Sequence, residues 1–570
     1  MFNIRGELDS SYDQNIIGYI RSLSTTTQLP PSTAPTLLTL EVPNLSNTNT
    51  RYEAGSKIQT SQNGQFQVGD DVLLMGWTRA SYRPYDKALF EPELRKVAKV
   101  VGIDEYYIYL DYAPPFNYPA FVNNELVKSV VMKVDLTENV VLKNINIKDM
   151  INEPLGTSSN SSHWADTPSG ISELLAKNVE IQNYHMENHR FNALYAQYSN
   201  NLRHTNIYAK NAQWWGGGQG YVIQYIACDG VVNENIVGDA CRHVVDVSWS
   251  SNVKTKTGRS YNPRAEDFTH HGCTEHNIIW EDCEGDIRFG HGIAYFPEII
   301  ENVTIQNCNI SVRNNESCVV FDLVINQSRV KCFGFQNFSQ VTYNNCDIRA
   351  FYITSAVAAN NRNTGRTRHA IINDSKIDVK AFDGTRLVLG FYDYEILNFK
   401  NIEFNLDQSV LDLFTNQPVI TLSNFKNAVI DGAEANQLCL SIRQTLHPRC
   451  ALELVNSTIN LVTKSGSDLL NFVTNQNTSI SAKVLNNRIN YDLTGSAGYA
   501  NIFLLSGAVT NSTVIMNISG NHLIGSAPNT IQGRNSVGTG TTVYIQDFKN
   551  VIKNAGTNAS FAFSNENIFI

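Results

Sequence analysis

The sequence of 570 residues predicts an all-β chain wound as a right-handed parallel β-helix, a solenoid. Three observations predict it. A short phrase of strand-forming residues returns with a period in the twenties, an asparagine marks the bends of that phrase, and the composition is poor in helix formers. Charged residues are 17% and aromatics 10% of the chain, with Asn, Ser and Thr standing where a helical protein would carry Lys and Glu.

The phrase reads ENVVLKNINIKD at 138–149, KNVEIQNYHMEN at 177–188, HNIIWEDCEGDI at 276–287 and ENVTIQNCNISV at 301–312. It returns as SQVTYNNCDIRA at 339–350, HAIINDSKIDVK at 369–380, EILNFKNIEFNL at 395–406 and CALELVNSTINL at 450–461. Looser copies lie at 200–211, 229–240, 426–435 and 511–523. Ile278 and Val303 are 25 positions apart and Ala370 and Leu397 are 27 apart, whereas Asn139 to Asn178 is longer by an insertion. Each copy alternates apolar and polar residues, bends at Asn or Asp, and alternates again, as two short strands do. Leucine-rich repeats need fixed leucines and a helical segment, and neither occurs. A β-sandwich or jelly roll would need the recurrence to be accidental.

Residue choice follows from stacking coils. Alternate side chains of each coil bury against the same positions above and below. Asparagine tolerates the left-handed backbone of a sharp corner, and stacked asparagines can hydrogen-bond along the axis.

The ends differ. Residues 1–130 are expected to form an N-terminal cap with a small β insertion. LDSSYDQNIIGYIRSL reads as a short amphipathic helix, a Pro/Thr/Ser-rich segment follows from Thr25 to Thr36, and QFQVGDDVLLMGW and KVAKVVGIDEYYIYLDYAPPF read as strands. The regular solenoid is expected over 131–490. Residues 491–570 read as terminal coils or a C-terminal assembly element, with the polar link GSAPNTIQGRNSVGTGT at 525–541.

Net charge is −9, with no basic cluster, so neither nucleic acid nor an anionic membrane is an expected partner. No apolar run is long enough to span a bilayer, and the N-terminus lacks the charged and apolar regions of a secretory signal. Synthesis in the cytoplasm is the expectation. The ten cysteines show no CxxC, and Cys283, Cys308 and Cys346 recur in similar contexts, which points to buried free thiols.

The stretch 214–292 departs from the repeat. It runs WWGGGQGYVIQYIACDGVV, DACRHVVDVSWSSNV and EDFTHHGCTEHNIIWEDCEGDIRFGHG. This resembles phage and prophage tail proteins of the pectin-lyase-like β-helix superfamily, in which Gly-Tyr, Arg-His…Asp and His-Gly strands lie on consecutive coils. The resemblance implies a bacteriophage tailspike or tail receptor-binding protein on the virion tail. It further implies a homotrimer, contact with other tail or baseplate proteins, and a host surface polysaccharide as ligand. Members include hydrolases, lyases and adhesins, so the resemblance does not choose among them.

Aligning coils on their apolar anchors places Asp246 seven residues before Val253 and His271 seven before Ile278. His243 and Asp246 then fall beside Asp267, His270 and His271, with His291 one coil on and Arg242 adjacent. Asp246 and Asp267 are candidates for the paired carboxyls of glycoside hydrolysis. His271 and Arg242 are candidates for the base and cation of β-elimination beside a uronate carboxylate. The alternative for each is a coil-corner residue bonded to the neighbouring turn. Gly290-His291-Gly292 is similar to the GHG of polygalacturonases, but no Asn-Thr-Asp occurs and the nearest acidic pair, Glu281-Asp282, is displaced, so that mechanism is not carried over. A zinc site from His243, His271 and His291 lacks HxH or HxxxH spacing, and neither metal nor cofactor is expected.

Trp214, Trp215, Tyr221, Trp249 and Tyr261 are candidate sugar-stacking residues, and Gly216 to Gly218 would let a ligand reach the backbone. Burial in the core is the alternative for any of them. Adjacent Trp214 and Trp215 on a strand point to opposite faces. GGGQG lacks the Lys-Ser/Thr of a phosphate loop. Three functions follow: a tailspike depolymerase, a non-catalytic receptor-binding or structural tail protein, and a free cellular lyase or hydrolase. The missing secretory signal opposes the third.

Overall fold

The computed structural model describes residues 2–5, 7–8, 39–41, 56–59, 63–76, 94–105, 107–112, 121–122, 125–126, 130–148, 170–189, 191–213, 219–271, 275–290 and 298–314. Further on it describes 318–332, 338–351, 366–380, 389–406, 420–436, 438, 440–443, 447–462, 467–473, 475–492, 500–505, 509–525, 531–535, 539–553 and 568–569. Apart from Leu8, the helix expected over LDSSYDQNIIGYIRSL lies outside the described residues, as does the segment from Thr25 to Thr36. The chain forms two compact units, Met1–Val303 and Thr304–Ile570.

In the first unit two ladders of parallel strands make a right-handed β-helix. One ladder stacks the short strands Ile171–Leu174, Leu194–Gln197, Ile223–Ile226, Val245–Ser248, Phe268–His270 and Glu284–Phe289. The other stacks the long strands Thr137–Ile147, Ala176–Glu187, Asn200–Lys210, Asp229–Asp239, Ser251–Tyr261 and Glu275–Glu281. Strand Phe2–Arg5 pairs in parallel with Ile171–Leu174 and so joins the short-strand ladder at its start.

The long strands bend every five residues. Asn178, Asn183 and Asn188 sit at φ 54, 53 and 56°, and Asn201, Asn206 and Asn211 at 53, 55 and 54°. Five is odd, so simple alternation would turn the next apolar pair outward. The left-handed residue takes up the extra position, and Val179, Ile181, Tyr184 and Met186 all point inward and are buried. An L-residue pays about 1–2 kcal/mol for this conformation, least when it is Asn. Asn183 donates to Asn144 at 2.8 Å, Asn206 to Asn183 at 2.9 Å and Asn235 to Asn206 at 2.9 Å, forming a rail along the coils.

The N-terminal sheet is antiparallel and built differently. Asp71–Gly76, Leu94–Ile103, Tyr107–Leu110 and Val130–Asp135 form its centre over a core of Phe66, Val72, Leu74, Ala98, Val100, Ile108, Leu110 and Val131. It docks on the coils through buried Lys96, which reaches Asp229 at 3.2 Å and the Cys228 carbonyl at 3.3 Å, and through the Asp71–Lys177 pair at 3.6 Å.

The second unit repeats the architecture. One parallel ladder includes Gln340–Asn344, His369–Asn373, Ile396–Lys400, Asn427–Asp431, Arg449–Val455, Ser479–Leu485, Thr513–Ser519 and Thr542–Phe548. A separate six-strand ladder runs from Leu389–Tyr392 to Ile531–Asn535. Parallel coils thus continue past residue 490, and strand Ile531–Asn535 lies within the polar link. After the left-handed corners at Asn307, Gln327, Asn345, Asp374, Asn456, Asn477, Asn486, Asn511 and Lys549 the next residue is buried and is Cys, Ser, Thr or Asn. The amides of Cys308 and Cys346 donate to the Ser328 and Ser375 hydroxyls at 3.0 Å, and those of Ser457, Asn487 and Asn521 continue the column by donating to the side-chain oxygens of Asn487, Asn521 and Asn550 at 2.9–3.0 Å. Among the described residues, Cys228, Cys241, Cys283, Cys308, Cys318, Cys346 and Cys450 are buried free thiols.

Candidate functional site

The strand Val245–Ser248 reads VDVS. Val245 and Val247 face the interior, so Asp246 and Ser248 share the other face, yet all four are buried. The register sets Gln224 and Thr269 directly beside Asp246 on the flanking coils. Asp246 Oδ1 accepts from the Ser248 hydroxyl at 3.0 Å. Its Oδ2 accepts from the Thr269 hydroxyl at 2.9 Å and is hydrogen-bonded to His271 Nδ1. Burial pushes this carboxyl up, but His271, by charge and hydrogen bond, with His243 and Thr269, holds it well below the usual carboxylate range. Both oxygens are occupied.

His271 leaves the short-strand ladder just after Phe268–His270, and its side chain is 12% exposed. His243 closes the group from the turn before Val245. Its Nδ1 is hydrogen-bonded to the Glu266 carbonyl, which can only accept, so Nδ1 carries the proton and Nε2 a lone pair. That Nε2 is buried and has no hydrogen-bond partner among the described residues. Burial pushes His243 down to about 3, aided by the charges of His271 and Arg242, so the ring is neutral near pH 7. The His243 and His271 rings meet edge to face at 5.5 Å. One ligating atom each from His243, Asp246 and His271 lie within 4.8 Å of one another.

Arg242 joins through a ring. Its guanidinium lies 5.6 Å from the centre of Tyr221, which packs on His243 at 4.6 Å. Tyr221 is 1% exposed, so it has no free face for a sugar and serves as the spacer between Arg242 and His243. Trp249 is half-buried at a left-handed corner (φ 52°), its amide donating to Glu275 at 3.2 Å. Tyr261 is 53% exposed at the end of strand Ser251–Tyr261. His291, Trp214 and Trp215 lie outside the described residues.

Two expectations change. Asp267 is not part of the Asp246 group: its Oδ2 accepts from the Asp286 amide at 2.8 Å on the following coil. Burial raises its carboxyl to about 6. His270, the last residue of strand Phe268–His270 and the chain neighbour of His271, points the opposite way into the interior. There it stacks on Phe289 at 4.7 Å, accepts from Trp280 at 3.3 Å and is pushed by burial down to about 3. The anchor alignment pairs Val253 with Ile278 as expected, yet Asp246 pairs with Thr269, because this coil holds two more residues before its anchor.

Ser248, Thr269 and the Glu266 carbonyl were not singled out from sequence. The VDVS alternation already places Ser248 beside Asp246; Thr269 and Glu266 carried no local signal. Nor did a chain of interior polar contacts show itself, in which buried His204 meets Glu173 at 3.2 Å and Tyr225 at 2.6 Å. From there Tyr225 donates to Asn233 at 2.5 Å and Asn233 to Thr255 at 3.1 Å.

No protein-family model matches the sequence, and no curated protein matches it. Among solved structures the chain is similar to the tailspike protein gp49 from Pseudomonas phage LKA1, at 11% identity over 84% of this chain and 64% of that one, with a TM-score of 0.31. It is similar to the Pseudomonas phage phi297 tailspike gp61, at 9% identity over 70% and 62%, with a TM-score of 0.35. It is also similar to the gp54 tailspike of Acinetobacter baumannii bacteriophage AP22, solved in complex with A. baumannii capsular saccharide, at 12% identity over 89% and 66%, with a TM-score of 0.29. The chain spans between 62% and 66% of the length of these structures. At such identities the likeness concerns the fold alone.

Proposed function

We propose that this chain is a phage tailspike that binds host cell-surface polysaccharide and depolymerises it, with Asp246, His271 and His243 as its chemical centre. The observation that carries the reading is the Asp246–His271 pair. A buried carboxylate with both oxygens occupied holds an imidazole whose ring retains an edge to solvent. An imidazole so oriented can take or give a proton at its far nitrogen. Arg242 adds a cation linked to His271 through the rings of Tyr221 and His243, three contacts in all.

This arrangement favours β-elimination over two-carboxylate hydrolysis. Hydrolysis needs a second carboxyl facing the first across the glycosidic bond. Asp246 is wholly buried against Ser248, Thr269 and His271, and Asp267 turns one oxygen to the Asp286 amide on the next coil rather than toward Asp246. Elimination instead needs one base and one cation to quiet the sugar carboxylate, which His271 and Arg242 supply. The polysaccharide as ligand follows from the tail-protein resemblance of 214–292, and so do the homotrimer and the tail partners. Of the five candidate sugar-stacking aromatics, Tyr261 and the half-buried Trp249 are the described ones that keep exposed surface for a sugar.

The test is incubation with purified capsule, O-antigen and teichoic polymers, reading unsaturated ends by ultraviolet absorbance and reducing ends chemically. Unsaturated ends support the reading. Reducing ends alone would assign hydrolysis, binding without turnover would make the chain an adhesin, and no binding to any polymer would overturn the proposal.

A further inference from the structure

We propose that His243, Asp246 and His271 form a binding site for one divalent transition-metal ion of the zinc class. It takes the same side chains as the proposed function and rests on that reading only for what the ion would do to a sugar; binding stands or falls separately.

Donor chemistry is the first support. Two imidazoles and one carboxylate are a borderline-soft ligand set suited to zinc and its neighbours, and leave a coordination position open. One donor atom of each already lies within 4.8 Å of the others, so a central ion needs only small side-chain movements.

His243 supplies the independent observation. It is 1% exposed, and its Nε2 is buried without a hydrogen-bond partner among the described residues. A buried, unsatisfied ring nitrogen costs free energy that an ion would recover. Its other nitrogen is tied to the Glu266 carbonyl, the outer contact that fixes tautomer and ring direction in metal-bound histidines. Asp246 is braced likewise by the Ser248 and Thr269 hydroxyls.

The balance is simple. The ion replaces the hydrogen bond between Asp246 and His271: the proton on His271 Nδ1 passes to solvent as that nitrogen turns to the ion, and the ring keeps one proton, on Nε2. Two neutral imidazoles and one carboxylate leave the bound divalent ion with one net positive charge. That charge, with Arg242 nearby, favours an anionic sugar group. Water in the open position would be acidified toward neutrality and become the base.

Full-length protein stripped with a chelator is titrated with Co(II), following its visible ligand-field absorption, and then with Zn(II) as competitor. One Co(II) per chain, displaced by Zn(II), with binding lost in His243→Gln and His271→Gln and kept in His185→Ala, is the expected result. Loss of a ligand should cost more than the ~10–100-fold that loss of an outer partner brings. A rise in the unfolding temperature of the unsubstituted protein with added Zn(II) reads the same site without any variant. No Co(II) absorption, or full binding in both histidine variants, overturns the site. Polysaccharide cleavage is assayed in stripped and loaded protein separately: absence from both sinks the depolymerase and leaves the metal site standing, while cleavage without any metal binding does the reverse.

Discussion

Asp246 and His271 are two positions out of register on adjacent coils, and still the carboxylate reaches the imidazole. Residues two apart on a strand share a face, so His271 follows Thr269 along the face that Asp246 occupies. The pair joins a carboxylate with no exposure to a ring with a solvent edge.

Replacing that carboxylate should separate cleavage from binding. Asp246→Asn keeps the shape and the Ser248 and Thr269 contacts but removes the charge that orients His271. Cleavage is expected to fall by about 10²–10⁴, the usual worth of a positioned acid or base, with polysaccharide affinity within a few-fold. Steady-state cleavage beside equilibrium binding checks it. Full activity in this variant would falsify the assignment.

Acid should unfold the protein through buried histidines. His189 is held at about 4, and His243 and His270 at about 3, all below the ordinary 6.5 and all through burial. Their folded values are depressed, so the stability they permit is complete above 6.5 and declines as pH falls toward the folded values. Each proton taken up on unfolding contributes a slope of about 1.4 kcal/mol per pH unit. Urea unfolding across this window should therefore weaken steadily, and His189→Gln should flatten the slope. An unchanged slope in that variant would count against His189 being a buried neutral group.

Asp267 should behave oppositely. Its folded value is raised from 3.8 to about 6, so it favours folding at low pH and costs stability as pH rises through that range. Asp267→Asn is expected to stabilise the protein by on the order of 2 kcal/mol at pH 7 and by nothing near pH 3.5, after allowance for the retained Asp286 bond. Paired melts at the two pH values test this. Gly285 marks the same spot: at φ 141°, a Cβ there would stand 2.2 Å from Asp267 Oδ2. Gly285→Ala should therefore destabilise at both pH values.

The asparagine rail separates two contributions. Asn206 sits at φ 55°, donates to Asn183 and accepts from Asn235. Asn206→Gly keeps the backbone and loses the rail, whereas Asn206→Ala loses both. Alanine should cost about 1–2 kcal/mol more than glycine, the penalty of the left-handed backbone without Asn or Gly. Equal costs would mean the corner is not strained.

The sequence by itself determined the coil. Apolar alternation and an Asn or Asp at the bend are local rules, and copy after copy carries them in its own residues. It also brought Asp246, His243 and His271 together, because anchors a coil apart stack. What it could not decide was which side of the wall each residue takes and how coils of unequal length align. His270 and His271 are neighbours in sequence and opposites in space. Asp267 bonds the next coil, and Tyr221 vanished beneath Arg242. Those outcomes depend on loop lengths and on what covers a face, which are properties of several coils at once. Asp246 makes the case: alternation put it on the outer face of the solenoid wall, and only the packed structure buried it there with His271 in its grasp.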